Sequence, residues 1–267
     1  MNCGPMSDHA TGTTEVTGIT EDAFLDGRLR LRQPGSGHRA GHDAMLLAAA
    51  TAARAGDRVV ELGAGVGAAG LALAARVGAI KLTLVEIDPA LAALARENAA
   101  ANAIAADVAA LDVAAAASVF AAHGMPPDSA DAVLMNPPFN DATRHRASPD
   151  AARATAHVAG PATLEDWIAA SRRILKSGAA LTLIWRADGL TEVLAALARG
   201  FGSLAILPVH GDQTKPAIRI LVRAIKGGKA PTQLLAGVAL NDESRTLDRR
   251  LAAIWAGEAG LLFERAL

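Results

Sequence analysis

Hydrophobic and polar positions along the chain follow two alternating rhythms. Short, mostly apolar runs bounded by glycine, proline or aspartate alternate with longer stretches in which apolar residues recur every three or four positions. These patterns mark buried strands and helices, respectively. The strand-like runs are DRVVELG (57–63), KLTLVEI (81–87), a weaker one near Ile104–Val108, ADAVLMN (130–136), AALTLIWR (179–186), SLAILPVH (203–210) and AIRILVRAI (217–225). Helical periodicity covers 66–78, 89–102, 114–123, 164–178 and 189–200. The helix at 89–102 is opened by Asp88, with Pro89 in its first turn. Ahead of these units, LRLRQ (29–33) reads as a short strand and GSGHRAGH (35–42) as a loop. Asp43 is placed to cap a helix that runs on to Gly56. A long loop follows Pro137 to about Gly160, and one amphipathic helix, Leu247–Ala256, lies near the C-terminus.

Strands alternating with helices give a parallel sheet covered on both faces. The last two strands follow one another without a crossover, so they pair antiparallel. The expectation is an α/β, Rossmann-like domain with a mostly parallel seven-stranded sheet closed by an antiparallel hairpin. Residues 1–18, rich in Thr, Gly and Asp, read as a disordered tail, and 19–267 as a single domain with a short N-terminal strand and helix extension.

Composition narrows the picture. Hydrophobic residues make up 51% of the 267, enough for a full core, although much of that fraction is alanine. Tyrosine is absent and aromatics are 3%; Trp167, Trp185 and Trp255 fall within helix or strand patterns and read as core. The single cysteine, Cys3, excludes an internal disulfide and fits a reducing, cytoplasmic setting. Neither a leader pattern nor a membrane-length apolar run is visible, and no metal-ligand spacing. The net charge of −1 argues against a strong positive field, but basic clusters occur locally at Arg28–His42 and Lys215–Arg250.

The chemistry concentrates at strand ends. The first long strand closes in Glu61-Leu62-Gly63-Ala64-Gly65-Val66-Gly67. Glycines there let the backbone turn sharply and let a ligand lie on it, with a helix N-terminus behind. Glu86 ends the next strand, 21 residues after Gly65, where a carboxylate accepts ribose hydroxyls. Asp112, after the weak third strand, is placed to reach an adenine amino group. The same glycines also form a literal G-x-G-x-x-G, so a nicotinamide dinucleotide is the rival cofactor. Glu61 favours S-adenosylmethionine, because it can orient a cationic methionine amine, whereas a pyrophosphate disfavours a nearby anion.

The fourth long strand runs into Asn136-Pro137-Pro138-Phe139. An exocyclic amine is a poor nucleophile because its lone pair is delocalised into the ring. The Asn136 side-chain carbonyl and the Pro137 backbone carbonyl, aimed at its two N–H bonds, favour a pyramidal nitrogen. The prolines stiffen the loop, and Phe139 offers a flat surface to a base swung out of its stack.

ELGAGVG, VEID and NPPF at these spacings resemble the class I amino-methyltransferases. From about Thr20 onward the chain is similar to the bacterial family that methylates N6 of adenosine beside the anticodon of a valine tRNA. EDAFLDGRLRLRQPGSGHRAGHDAMLLAAA resembles that family's N-terminal segment. The resemblance implies S-adenosylmethionine as cofactor, RNA as partner and tRNA as substrate. Asn136, Pro137 and Phe139 are then catalytic. Glu61, Gly63, Gly65, Gly67, Glu86, Asp112, Asn136 and Asp43 hold the cofactor, Asp43 by matching the family's Asp-x-x-Leu-Leu. His42 departs from the family, which often keeps a small or hydrophobic residue there. Arg28, Arg30, Arg39, Arg144 and Arg146 are the candidate phosphate contacts. Methyl transfer to ribosomal RNA bases or to a protein glutamine uses the same logic, but the chain is short of the helical substrate domain that glutamine enzymes carry. An NAD-dependent oxidoreductase would want a catalytic Tyr-Lys or His-Arg arrangement, and the chain has no tyrosine. A non-catalytic RNA-binding module would need neither Asn136 nor Glu86.

Overall fold

The computed structural model describes residues 18–35, 40–138, 162–241, 249–257 and 260. Eleven strands and seven helices follow in order: β1 (Ile19–Phe24), β2 (Leu29–Pro34), α1 (His42–Ala50), β3 (Arg58–Leu62), α2 (Ala68–Val77), β4 (Lys81–Glu86), α3 (Pro89–Ala101), β5 (Ala106–Ala110), α4 (Ala117–Ala122), β6 (Ala130–Met135), α5 (Leu164–Ile174), β7 (Leu175–Arg186), α6 (Leu190–Leu197), β8 (Phe201–Asp212), β9 (Ala217–Lys226), β10 (Gln233–Leu234), β11 (Val238–Asn241) and α7 (Arg249–Trp255), counted among the described residues.

The main sheet has the order β10-β8-β9-β7-β6-β3-β4-β5, with β11 also on β8. The parallel core and the antiparallel β8–β9 pair are as the sequence predicts. The sheet is wider than the expected seven strands, because β10 and β11 add short parallel pairings to the outer edge of β8. Successive strand residues point to opposite faces and feed two cores. Val59, Leu134, Ile184 and Leu221 face one core with α1, α2 and α3. Val60, Val133, Leu183 and Val222 face the other with α4, α5 and α6.

Two departures from the sequence reading have local causes. α1 stops at Ala50 instead of running to Gly56, and Asp43 does not cap it. The chain turns extended at Thr51, whose Oγ1 donates to Leu47 O. Arg76 Nη2 then donates to the open carbonyls of Ala48 and Thr51, so the helix end is satisfied without further turns. Residues 19–24, not marked as an element in the sequence, form a strand antiparallel to β2 in a separate two-stranded sheet.

That hairpin docks on α3 through two asparagines one turn apart. Asn102 Oδ1 accepts from Arg30 N at 2.9 Å and its Nδ2 donates to Arg30 O at 2.8 Å. Asn98 repeats the pair on Arg32 N (2.8 Å) and Arg32 O (3.0 Å), and also donates to Val66 O at 3.0 Å. The free edge of β2 is thus paired by side-chain amides spaced i, i+4, and the buried Asn98 joins the hairpin to the glycine turn.

Candidate cofactor and substrate site

The sheet order reverses between β3 and β6, so a crevice opens at the carboxyl ends of β4, β3 and β6. In the turn after β3, Gly63, Gly65 and Gly67 have φ of +66°, +56° and +86°, a region that side chains disfavour. A Cβ placed on Gly65 would meet no atom within 4 Å, so this stretch of backbone lies open to a ligand. Gly67 leads into α2 without a side-chain cap.

Glu61 and Glu86 hold this turn from two directions. Glu86 Oε2 accepts from Gly65 N at 2.7 Å and Oε1 from Asp88 N at 2.9 Å, which ties the turn to the start of α3. Each carboxylate oxygen keeps a lone pair for a further donor such as a ribose hydroxyl. Glu61 lies beneath α2, where Oε2 accepts from Gly70 N at 2.7 Å. A Cβ on Gly70 would stand 2.6 Å from that oxygen and 2.7 Å from Leu84 Cδ2, so only glycine admits the contact. Burial pushes the Glu61 carboxyl up to about 8; the Gly70 N–H opposes this shift and the nearby Glu86 charge adds to it. Asp112 follows β5 and accepts from Ala114 N at 2.8 Å.

Ile87, missed in the sequence, is 55% exposed directly after Glu86. It stands between Glu86, which holds the glycine turn, and Asp88, which caps α3. The legible signal was an isoleucine set between Glu86 and Asp88 in VEID. Asp43 sits farther along the same edge of the sheet. Its Oδ2 accepts from Arg219 Nε at 3.0 Å, and Arg219 pairs in register with Arg186 at the end of β7. His42 stacks on Trp255, with ring centroids 5.4 Å apart.

Beyond β6 the polar groups are arranged differently. Asn136 follows directly on Met135, and its Oδ1 is buried without a hydrogen-bond partner among the described residues. Pro137 and Pro138 then border a cavity of about 330 Å³ shared with Thr163, Trp167, Trp185 and Glu192. α5 opens beside it with a capping box, in which Thr163 Oγ1 accepts from Asp166 N and Asp166 Oδ2 accepts from Thr163 N at 2.9 Å. Trp167 and Trp185 are buried, as the sequence suggests, but both also line this cavity. A Cβ on Gly63 would collide with Cη2 of Trp167, so the indole closes over the glycine turn.

The structure therefore places Gly63, Gly65, Gly67, Glu86, Asn136 and Pro137 at the carboxyl ends of β3, β4 and β6, with Asp112 after β5, whereas Glu61 is buried beneath α2. Arg28 and Arg30 stand instead on or beside the hairpin that packs against α3, on the other flank from the cavity, with Arg30 paired to Glu21 at 3.1 Å. Phe139, Arg39, Arg144 and Arg146 lie outside the described residues. Among the described residues no group of three or more His, Cys, Asp or Glu could hold a metal, and no helix is long and apolar enough to cross a membrane.

Residues 36–210 match the sequence model of the methyltransferase small domain family. No curated protein matches the chain. Among solved structures, a predicted O-methyltransferase from Agrobacterium tumefaciens is 32% identical, with a TM-score of 0.68 over 82% of this chain and 98% of that one. The 16S rRNA N2 G1207 methyltransferase of T. thermophilus, solved with AdoMet and guanosine, is 20% identical, with a TM-score of 0.52 over 78% of this chain and 50% of that one. A putative class I S-adenosylmethionine-dependent methyltransferase from Listeria monocytogenes is 17% identical, with a TM-score of 0.51 over 80% and 68%. The latter two likenesses are likenesses of fold.

Proposed function

Because the chain belongs to the methyltransferase small domain family and is an S-adenosylmethionine-dependent methyltransferase, we propose that it methylates the exocyclic N6 of an adenosine in RNA, within the anticodon loop of a tRNA. The observation that carries this reading is the buried, unpartnered Oδ1 of Asn136 beside a cavity walled by prolines and indoles. A buried amide oxygen left without a donor is unfavourable by about 1–3 kcal/mol. An incoming N–H relieves that cost, so the group selects a substrate that brings one. An amino group of a flat base does so, and the cavity walls suit a flat ring.

The residues divide as follows. Gly63, Gly65 and Gly67 carry the cofactor on their backbone, Glu86 accepts its ribose hydroxyls, Ile87 covers its adenine and Asp112 meets the adenine amine. Glu61 braces the turn through Gly70 and faces the methionine end; Asp43 stands at the same edge of the sheet. The bound cofactor supplies a methyl group on a positively charged sulfur. Asn136 and the Pro137 carbonyl hold the amine, Phe139 stacks on the base, and the amine proton leaves to solvent after transfer. Arg28, Arg30, Arg39, Arg144 and Arg146 are the phosphate contacts. An anticodon loop already presents splayed bases, so little energy is needed to extrude one.

The test is transfer of labelled methyl from S-adenosylmethionine to separated tRNA, ribosomal RNA and protein fractions, followed by nucleoside mass spectrometry. N6-methyladenosine in one tRNA is the expected product. The T. thermophilus neighbour methylates N2 of a guanine in 16S rRNA. Label in a ribosomal guanine, or in a protein glutamine, would overturn the tRNA adenine assignment and leave amine methylation standing.

A further inference from the structure

Trp167 carries a second orphaned group. It is buried, lines the same cavity as Pro137 and Pro138, and its indole Nε1–H has no acceptor among the described residues. The orientation of the ring is fixed from outside. The atoms nearest to a Cβ on Gly63 are Cη2, Cζ3 and Cζ2, so the six-membered ring rests on the glycine turn. The pyrrole edge with its N–H lies on the opposite side of the indole from that turn. The helix holds the residue in place: Ser171 Oγ, one turn on, donates to Trp167 O at 2.9 Å and contacts Met135 Sδ at the end of β6.

Asn136, directly before Pro137 of the cavity wall, thus carries an unsatisfied acceptor, and Trp167 within that wall an unsatisfied donor. Indole N–H groups buried in a protein ordinarily find a partner. The matching ligand edge is an amine beside a ring nitrogen that carries a lone pair. Adenine presents that edge on both sides of its amine, at N1 and at N7. We propose that the Trp167 Nε1–H donates to the ring nitrogen next to the methylated amine and so determines which base is accepted, an inference that rests on the amine-methylating reading of Asn136. Asn136 holds the nucleophile, and Trp167 reads its neighbour. Trp167 also touches the cofactor turn at Gly63, so one side chain sets the base relative to the methyl donor.

The experiment uses the full-length enzyme and an anticodon stem-loop carrying adenosine, 1-deazaadenosine or 7-deazaadenosine at the target position. Trp167→Phe keeps an aromatic ring but removes both the donor and the outer ring that rests on Gly63, so the deaza substrates are needed to isolate the hydrogen bond. Its kcat/KM on the adenosine stem-loop should fall about ten- to hundred-fold, while the Kd for S-adenosylmethionine stays at the wild-type value. One of the two deaza substrates should lower wild-type kcat/KM by a similar factor and cause no further loss in Trp167→Phe, because the same hydrogen bond is already gone. A variant with wild-type kcat/KM, or losses that multiply fully with both deaza bases, would overturn the role of the indole. A merely structural tryptophan gives the multiplicative result. If the wild-type enzyme methylates no RNA adenine, the function proposed above falls together with this inference; if it does and Trp167→Phe matches it, only the inference falls.

Discussion

Glu86 and Asn136 close the strands on either side of β3, yet their hydrogen bonding is opposite. Glu86 is engaged at both oxygens by backbone amides, and Glu61 and Asn98 nearby are likewise tied to Gly70 and Val66. Asn136 Oδ1 and Trp167 Nε1 are buried and have no hydrogen-bond partner among the described residues. The cofactor flank is held in shape by the protein's own bonds, which a ligand must share. On the substrate flank the ligand itself must complete the bonding. The first arrangement secures a fixed docking geometry. The second secures discrimination, because a wrong ligand leaves the orphaned groups unpaired.

The largest expected effect falls on the open flank. Asn136→Ala should lower kcat by about 100-fold or more, the scale for losing one preorganised hydrogen-bonding group at a reacting centre, with the Kd for S-adenosylmethionine unchanged by calorimetry. A variant that loses cofactor affinity instead would erase the contrast between the flanks. On the closed flank, Asn98→Ala removes three hydrogen bonds from a buried position and should destabilise the fold by about 1–3 kcal/mol in urea unfolding. Asn102→Ala, at a half-buried position, should cost about 0.5–1.5 kcal/mol. Glu86→Ala should weaken S-adenosylmethionine by about 1–3 kcal/mol and leave NAD without measurable binding. A separate effect concerns pH. Glu61 is pushed up to about 8, so the folded protein keeps a proton that the unfolded chain releases above about 4.5. Stability from this group is greatest below that lower value and is lost as pH rises toward 8, with a slope of at most about 1.4 kcal/mol per pH unit. Glu61→Gln should flatten that decline between pH 5 and 8 in thermal unfolding.

Much of the closed flank was legible in the sequence. The glycine run, Glu86 at its set distance and Asp88 before Pro89 are local signals, and Asp88 does accept from Ala90 N at 2.8 Å. The antiparallel β8–β9 pair followed from a missing crossover. What was hidden depends on contacts distant in sequence. Trp167 shares the buried stripe of α5 with Leu164, Ile168, Ser171 and Ile174, so periodicity marks it as core and cannot reveal a cavity on its other side. Trp185 is hidden in the same way within β7. Nothing local in the sequence marks Asn98, Asn102 or β1, because each acquires its role only when the other is present.

The asparagine pairing on β2 also has a consequence for amide exchange with solvent. The Arg32 N–H is held by the same side chain that holds Val66 O in the glycine turn. The Arg30 N–H is held by Asn102, whose other bonds go to the hairpin and to α3 itself. A ligand that stills the turn therefore slows exchange at Arg32 more than at Arg30, although it touches neither. Two neighbouring outward-facing amides on one short hairpin become a reporter and its internal reference for occupancy of a site they do not line.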